Sequence, residues 1–200
     1  MDTNKKNKIE KATMKIIRHI TVLITAVLLL CCCKNNGTVI DPTEANLSFS
    51  SGYAVFYGDY YNYLNIQNNV LGLSLLSPRL SIDSAGYYVG SGTHLILTDI
   101  FVNPADTLLP VGHYTVSDEG TAMTFLDGYD FDGNILGAYM LLISESGYKI
   151  DVLKNGYFDV EYSKDTTIID FHFTRSNGKT YSPTFKGILP TYISINATDN

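Results

Sequence analysis

Residues 147–187 read GYKIDVLKNGYFDVEYSKDTTIIDFHFTRSNGKTYSPTFKG, and the alternation in this stretch decides the fold. Apolar side chains recur at every second position: Tyr148, Ile150 and Val152, then Phe158, Val160 and Tyr162, then Ile169, Phe171 and Phe173. An extended backbone points successive side chains to opposite faces, so a period of two predicts strands with one buried face. Turn residues separate the groups. A two-residue Asn155-Gly156 turn would put the first two apolar sets on opposite faces of a hairpin. A three-residue Lys154-Asn155-Gly156 loop, with Gly156 left-handed, instead pairs Val152 with Phe158, Ile150 with Val160 and Tyr148 with Tyr162. By the same test a Lys164-Asp165 turn matches Val160 with Ile169 and Phe158 with Phe171. A Ser176-Asn177-Gly178 loop then matches Phe173 with Tyr181 and Ile169 with Phe185. The expectation is a four-stranded meander.

Working outward, short alternating runs punctuated by glycine fill the rest of the chain after residue 45. Strands are expected over 53–58, 62–67, 70–76, 86–90, 93–102, 112–117, 122–126, 137–144, 147–153, 157–163, 166–174 and 179–187. No stretch there has apolar residues at helical spacing. Fifteen tyrosines and nine phenylalanines suit a pleated, half-buried surface. The fold class expected is all-β, an antiparallel β-sandwich or a calycin-like barrel built from meander hairpins.

The meander register lines up Asp151, Asp159 and Asp170 on its other face, with Thr184 beside them and His172 opposite Tyr157. Three carboxylates on neighbouring strands offer hard oxygen ligands for calcium; no other cofactor is indicated. The plainer alternative is a solvated face on which Lys149 and Lys186 compensate diagonally. Asp127 to Asn134 reads DGYDFDGN and superficially suggests a calcium loop. Gly133 and Leu141 stand at the wrong places for an EF-hand, and a solvated β-turn is expected. Tyrosines cluster in the first third of the domain, at Tyr53, Tyr57, Tyr60, Tyr61, Tyr63, Tyr87 and Tyr88, among Asp59, Asn62 and Asn65. Aromatic platforms beside amides and carboxylates are what sugar recognition uses, which makes Tyr57, Tyr60, Tyr61 and Tyr63 candidate glycan contacts; cross-strand packing is the competing reading. His94, His113 and His172 sit in no nucleophile or metal motif, so no catalytic residue is assigned and an enzyme is not expected.

The N-terminal end carries an address. Ile20 to Leu30 reads ITVLITAVLLL behind Lys15 and Arg18, a positive n-region followed by a hydrophobic run. A span needs about 20 apolar residues, so this run is too short to cross a bilayer stably. Cys31, Cys32 and Cys33 follow, and no cysteine comes later, which excludes disulfides and thiolate metal sites from the body of the chain. Leu29-Leu30-Cys31-Cys32-Cys33 resembles a lipobox, with Cys33 or Cys32 as the acylated residue. An ordinary secretory signal or a short hydrophobic anchor is the alternative. The organisation expected is a lipoprotein signal peptide over 1–32, with Met14 an alternative start, a polar tether over 33–45 and a single all-β domain over 46–195. From Cys33 onward 8 basic residues face 18 acidic ones, a formal −10, which argues against nucleic acid as a partner.

Leu108-Leu109-Pro110-Val111-Gly112-His113-Tyr114-Thr115-Val116, Gly156-Tyr157-Phe158-Asp159-Val160, Asn177-Gly178-Lys179 and Phe185-Lys186-Gly187 resemble short motifs of uncharacterised lipoproteins of Bacteroidales gut bacteria. The resemblance covers roughly residues 50 to 190. It implies an outer-membrane lipoprotein with an all-β body and carries no residue-level active site. Many surface lipoproteins of that phylum have acidic residues just after the cysteine, whereas Lys34-Asn35-Asn36-Gly37 stands here, so the periplasmic and cell-surface faces both stay open. The function expected is a membrane-anchored envelope module that binds a glycan or a protein, or is structural. A calycin-like barrel carrying a small apolar ligand, with a cavity lined by Ile96, Ile100 and Leu141, is the alternative, and a pilus-like subunit completed by a partner's strand is another.

Overall fold

A computed structural model describes residues 48–194, which fall within one compact unit. The signal over 1–32, the cysteines Cys32 and Cys33 and the tether over 33–45 lie outside the described residues. Strand follows strand: β1 (Ser48–Phe49), β2 (Ser51–Gly58), β3 (Asn69–Leu76), β4 (Leu80–Ile82), β5 (Tyr88–Gly90), β6 (Gly92–Val102), β7 (Gly112–Val116) and β8 (Thr124–Phe125) make the first half. The second half is β9 (Tyr129–Phe131), β10 (Asn134–Leu136), β11 (Ala138–Ser144), β12 (Gly147–Ser163), β13 (Thr166–Arg175), β14 (Thr180–Tyr181), β15 (Thr184–Gly187) and β16 (Thr191–Ile193).

Two long strands organise the closure. β6 has 11 residues and β12 has 17, enough for each to serve different neighbours along its length. β11 pairs with the first part of both, and β8 and β7, parallel to each other, bridge their later parts. The ring β6–β8–β7–β12–β11 is therefore a closed barrel of five strands. β13 and β15 extend it beyond β12, and β3 and β2 extend it beyond β6. The two flanks meet at Ser50, whose N–H bonds the Leu76 carbonyl at 3.0 Å. On either side of it, β1 runs parallel to β15 and β2 runs parallel to β16. The expected all-β class holds, with a closed barrel at its centre.

Aromatic rings fill the interior. Tyr114 stacks on Phe158 with centroids 4.5 Å apart, and Phe125, Phe171 and Phe173 surround the pair at 5.2 to 5.7 Å from one ring to the next. All five are excluded from solvent. Ile100 joins this core, but Ile96 and Leu141 project from the opposite face of the sheet, so the trio expected around a ligand cavity is not assembled.

The register from Phe158 onward agrees with the sequence reading: Phe158 faces Phe171, Val160 faces Ile169, Phe173 faces Tyr181 and Ile169 faces Phe185. The hairpin expected around residues 154–156 is corrected. Residues 147–163 are one strand with a β-bulge at Asn155 and Gly156, whose φ values are 52° and 129°. A Cβ on Gly156 would lie 2.2 Å from the His172 carbonyl oxygen, so the bulge requires glycine. One inserted residue shifts the alternation, which keeps Leu153 and Phe158 both inside. Tyr148, Ile150 and Val152 consequently do not pair with Tyr162, Val160 and Phe158; they face outward beside β11. The strand expected over 62–67 is instead a 3₁₀ turn at Asn62–Leu64, closed by Asn65 in the left-handed region that asparagine tolerates.

Candidate functional site

The outward side of β2, β3, β6, β11 and the first part of β12 is neither charged nor plainly polar. One row across these strands runs Tyr53, Ser74, Ile96, Tyr139 and Val152, and the next runs Ser51, Leu76, His94, Leu141 and Ile150. Alternation puts Tyr53 and Tyr57 on this face of β2 because Ala54 and Phe56 pack inward. Tyr57 lies over Gly72, where a Cβ would meet its ring at 3.1 Å. The phenols of Tyr53, Tyr57, Tyr88 and Tyr139 are close enough to influence one another electrostatically. Burial raises the phenol pKa of Tyr57, Tyr88 and Tyr139, that of Tyr139 to about 12, so these hydroxyls remain protonated donors.

A second bulge shapes one end of the face. Leu71 pairs with Ile100 but Leu73 pairs with Leu97, so Thr98 and Asp99 share the place of one residue. The displaced Asp99 is buried, accepting hydrogen bonds from the Tyr61 hydroxyl at 2.6 Å and from the Thr98 hydroxyl. Burial raises its carboxyl pKa, and the bonds from Thr98 and Tyr61 oppose that rise. The four tyrosines singled out from sequence meet here in sequential ring contact: Tyr57 to Tyr60 at 6.2 Å, Tyr60 to Tyr61 at 5.0 Å and Tyr61 to Tyr63 at 6.2 Å. Their roles differ. Tyr61 turns inward against Phe101 and Asp99, whereas Tyr60 and Tyr63 stand exposed at the rim.

At the other end the β4–β5 hairpin brings Tyr88 onto the face. Its hydroxyl lies 2.6 Å from His94 Nδ1, and His94 Nε2 lies 2.6 Å from the Ser74 hydroxyl. Burial pushes the imidazole pKa down to about 4, so the ring is neutral near pH 7. A neutral ring has one N–H, so one hydroxyl donates to it and the other accepts from it. Linkage gives a sign. Below pH 6.5 the unfolded chain takes up a proton that the folded ring refuses, so this contribution is fully present above pH 6.5 and declines as pH falls toward 4. Roughly 3 kcal/mol is at stake at most. In urea melts, His94→Gln is expected to lose less stability than the parent between those pH values; parallel profiles would contradict the assignment.

The aspartate row forms only in part. Asp159 faces Asp170, with Thr184 next along, and His172 lies opposite Tyr157 as expected. Asp151 is elsewhere: buried, it accepts from Arg175 Nε at 2.7 Å and from the Ser176 hydroxyl at 2.7 Å. The bulge is the reason, because it separates Asp151 from the register that holds Asp159. The proposed calcium set Asp151, Asp159 and Asp170 is therefore not brought together. Among the described residues no three His, Cys, Asp or Glu side chains are arranged to hold a metal ion. His113 supplies the neighbour that sequence reasoning missed, its Nδ1 lying 2.7 Å from Asp159 Oδ1. The Asp127 to Asn134 segment forms the expected turn: Asp132 and Gly133, both at positive φ, close the β9–β10 hairpin, and the Gly133 N–H bonds Asp130 Oδ1 at 2.8 Å.

Asp99, His94 and Tyr139 were not among the sequence candidates. A signal existed for the first: Asp99 is the only acidic residue in the mostly apolar run His94–Val102. Compared with protein-family models, curated proteins and solved structures, the chain matches none.

Proposed function

We propose that this chain is an envelope lipoprotein, anchored through Cys33 or Cys32, whose tyrosine-lined outer face binds a glycan. The observation that carries the reading is the row Tyr53, Ser74, Ile96, Tyr139, with Tyr57 over Gly72 beside it. A sheet face directed away from the core is ordinarily polar. Here it presents aromatic rings whose phenols lie within electrostatic reach of one another, with the β4–β5 hairpin at one end and the Tyr60–Tyr63 turn at the other. Sugar rings offer apolar C–H faces to such platforms and hydroxyls to the phenols around them. The hydrophobic core is filled by Tyr114, Phe125, Phe158, Phe171 and Phe173, which favours a surface ligand over an apolar cargo held inside.

Isothermal titration with oligosaccharides selected on a glycan array is expected to show saturable binding. Tyr53→Ala combined with Tyr139→Ala should weaken it tenfold or more, about 1.4 kcal/mol, with the fold retained by circular dichroism. Unchanged affinity in a folded double variant would reject the face as the site. For the anchor, the mass of the mature N-terminus should include fatty acyl groups on a cysteine; an uncleaved start without acyl mass would reject it. The apolar, outward-facing Tyr148, Ile150 and Val152 at the β12 margin favour a second reading, a protein partner, which an Ile150→Asp variant tests by loss of partner binding without loss of glycan binding.

A further inference from the structure

Resting on the glycan reading, we infer that the tyrosine-lined face is built for an uncharged, hydroxyl-rich chain and discriminates against glycans bearing carboxylate or sulfate groups. Recognition of an anionic sugar needs a cation or an array of free N–H donors at the site. The row Tyr53, Ser74, Ile96, Tyr139, Val152 has neither Lys nor Arg, and its backbone N–H groups lie in the sheet ladder. Lys154, which follows Val152 on the same side of β12, is paired with Asp127 at 3.6 Å. His94 adds no positive charge, because burial keeps it neutral and both its nitrogens are engaged by Ser74 and Tyr88.

The one acidic group set into the face works in the same direction. Asp99 has one oxygen bonded by Tyr61 and the other by Thr98, so it is already satisfied without a ligand, and as a carboxyl group it offers no cation to an anionic sugar. A neutral sugar requires no cation. Its hydroxyls find phenol donors and acceptors, and its C–H faces find the rings.

Titration of the full chain with maltoheptaose, xylohexaose and a mannan oligosaccharide, against oligogalacturonate and a chondroitin sulfate oligosaccharide, separates the possibilities. The expected result is binding of at least one neutral probe with an affinity that changes less than twofold between 50 and 500 mM NaCl, and at least tenfold weaker binding of both anionic probes, on the order of the screening and charge effects of exposed sites. Ile96→Lys, a substitution on the half-exposed face, should raise anionic affinity at least tenfold. Anionic binding that is tighter than neutral binding and is lost in Tyr53→Ala/Tyr139→Ala would leave the glycan reading standing and overturn this inference. Binding of neither class, by parent and Ile96→Lys alike, would overturn the glycan reading and the inference with it.

Discussion

Arg175→Leu is expected to destabilise the domain by about 3–5 kcal/mol, measured as a fall in the urea midpoint. The guanidinium and the Asp151 carboxylate are almost completely buried, at 2% and 3% side-chain exposure, with Nη2 to Oδ2 at 2.6 Å. Removing the cation leaves a carboxylate in the interior without the charge that balanced it, with the neutral Ser176 hydroxyl still donating to it. A domain of ordinary stability has about 5–15 kcal/mol in all, so a large part of the total is at risk. The double variant Asp151→Leu/Arg175→Leu should recover most of the loss, since apolar groups of similar volume carry no desolvation penalty. Equal destabilisation of single and double variants would mean that packing around Arg175, and not its charge, is what matters there.

Phe158→Ala should be comparably severe, about 3–5 kcal/mol, for a different reason. Phe158 sits between Tyr114 and Phe171 and also touches Phe125, and no part of it reaches solvent. Truncation removes both the burial of the ring and the stack that its neighbours lean on, leaving a cavity lined by Tyr114, Phe125 and Phe171 in a close-packed interior. Phe158→Leu keeps most of the volume and should cost less than half as much. A loss below about 1 kcal/mol for the alanine variant would contradict the tight aromatic packing.

Much of the fold was legible because alternation is a local property. Phe158, Val160, Ile169, Phe171, Phe173, Tyr181 and Phe185 fall in the register that period-two reasoning assigned to them. The error at Asn155-Gly156 is instructive. Val152 and Phe158 were expected as a pair on one face and lie on opposite faces, because a left-handed Asn-Gly pair can either turn the chain back or bulge a strand that continues. Local sequence does not distinguish the two; the choice belongs to β11, which comes before β12 in the chain and takes the place next to it that the expected hairpin would have filled. Asp151 left the aspartate row for the same reason.

The candidate site was legible only in pieces. Tyr57, Tyr60, Tyr61 and Tyr63 were visible as a local cluster, and Tyr53 and Tyr88 as members of its wider neighbourhood. Tyr139 and Asp99 arrive from strands far along the chain, through pairings between β3, β6 and β11 that no short-range pattern encodes. The outward turn of Tyr148, Ile150 and Val152 is a departure from the rule that the apolar side of a strand faces the core, and such departures collect at surfaces that bind something.

The most direct measurement is a ¹⁵N and ¹³C-methyl NMR titration of the protein with the tightest-binding oligosaccharide from the array. Shifts confined to Tyr53, Tyr57, Ser74, Ile96, Thr98 and Tyr139, with the barrel interior unmoved, are the expected result. Shifts centred instead on His113, Tyr157, Asp159 and His172, across the face formed by β7, β12 and β13, would contradict it.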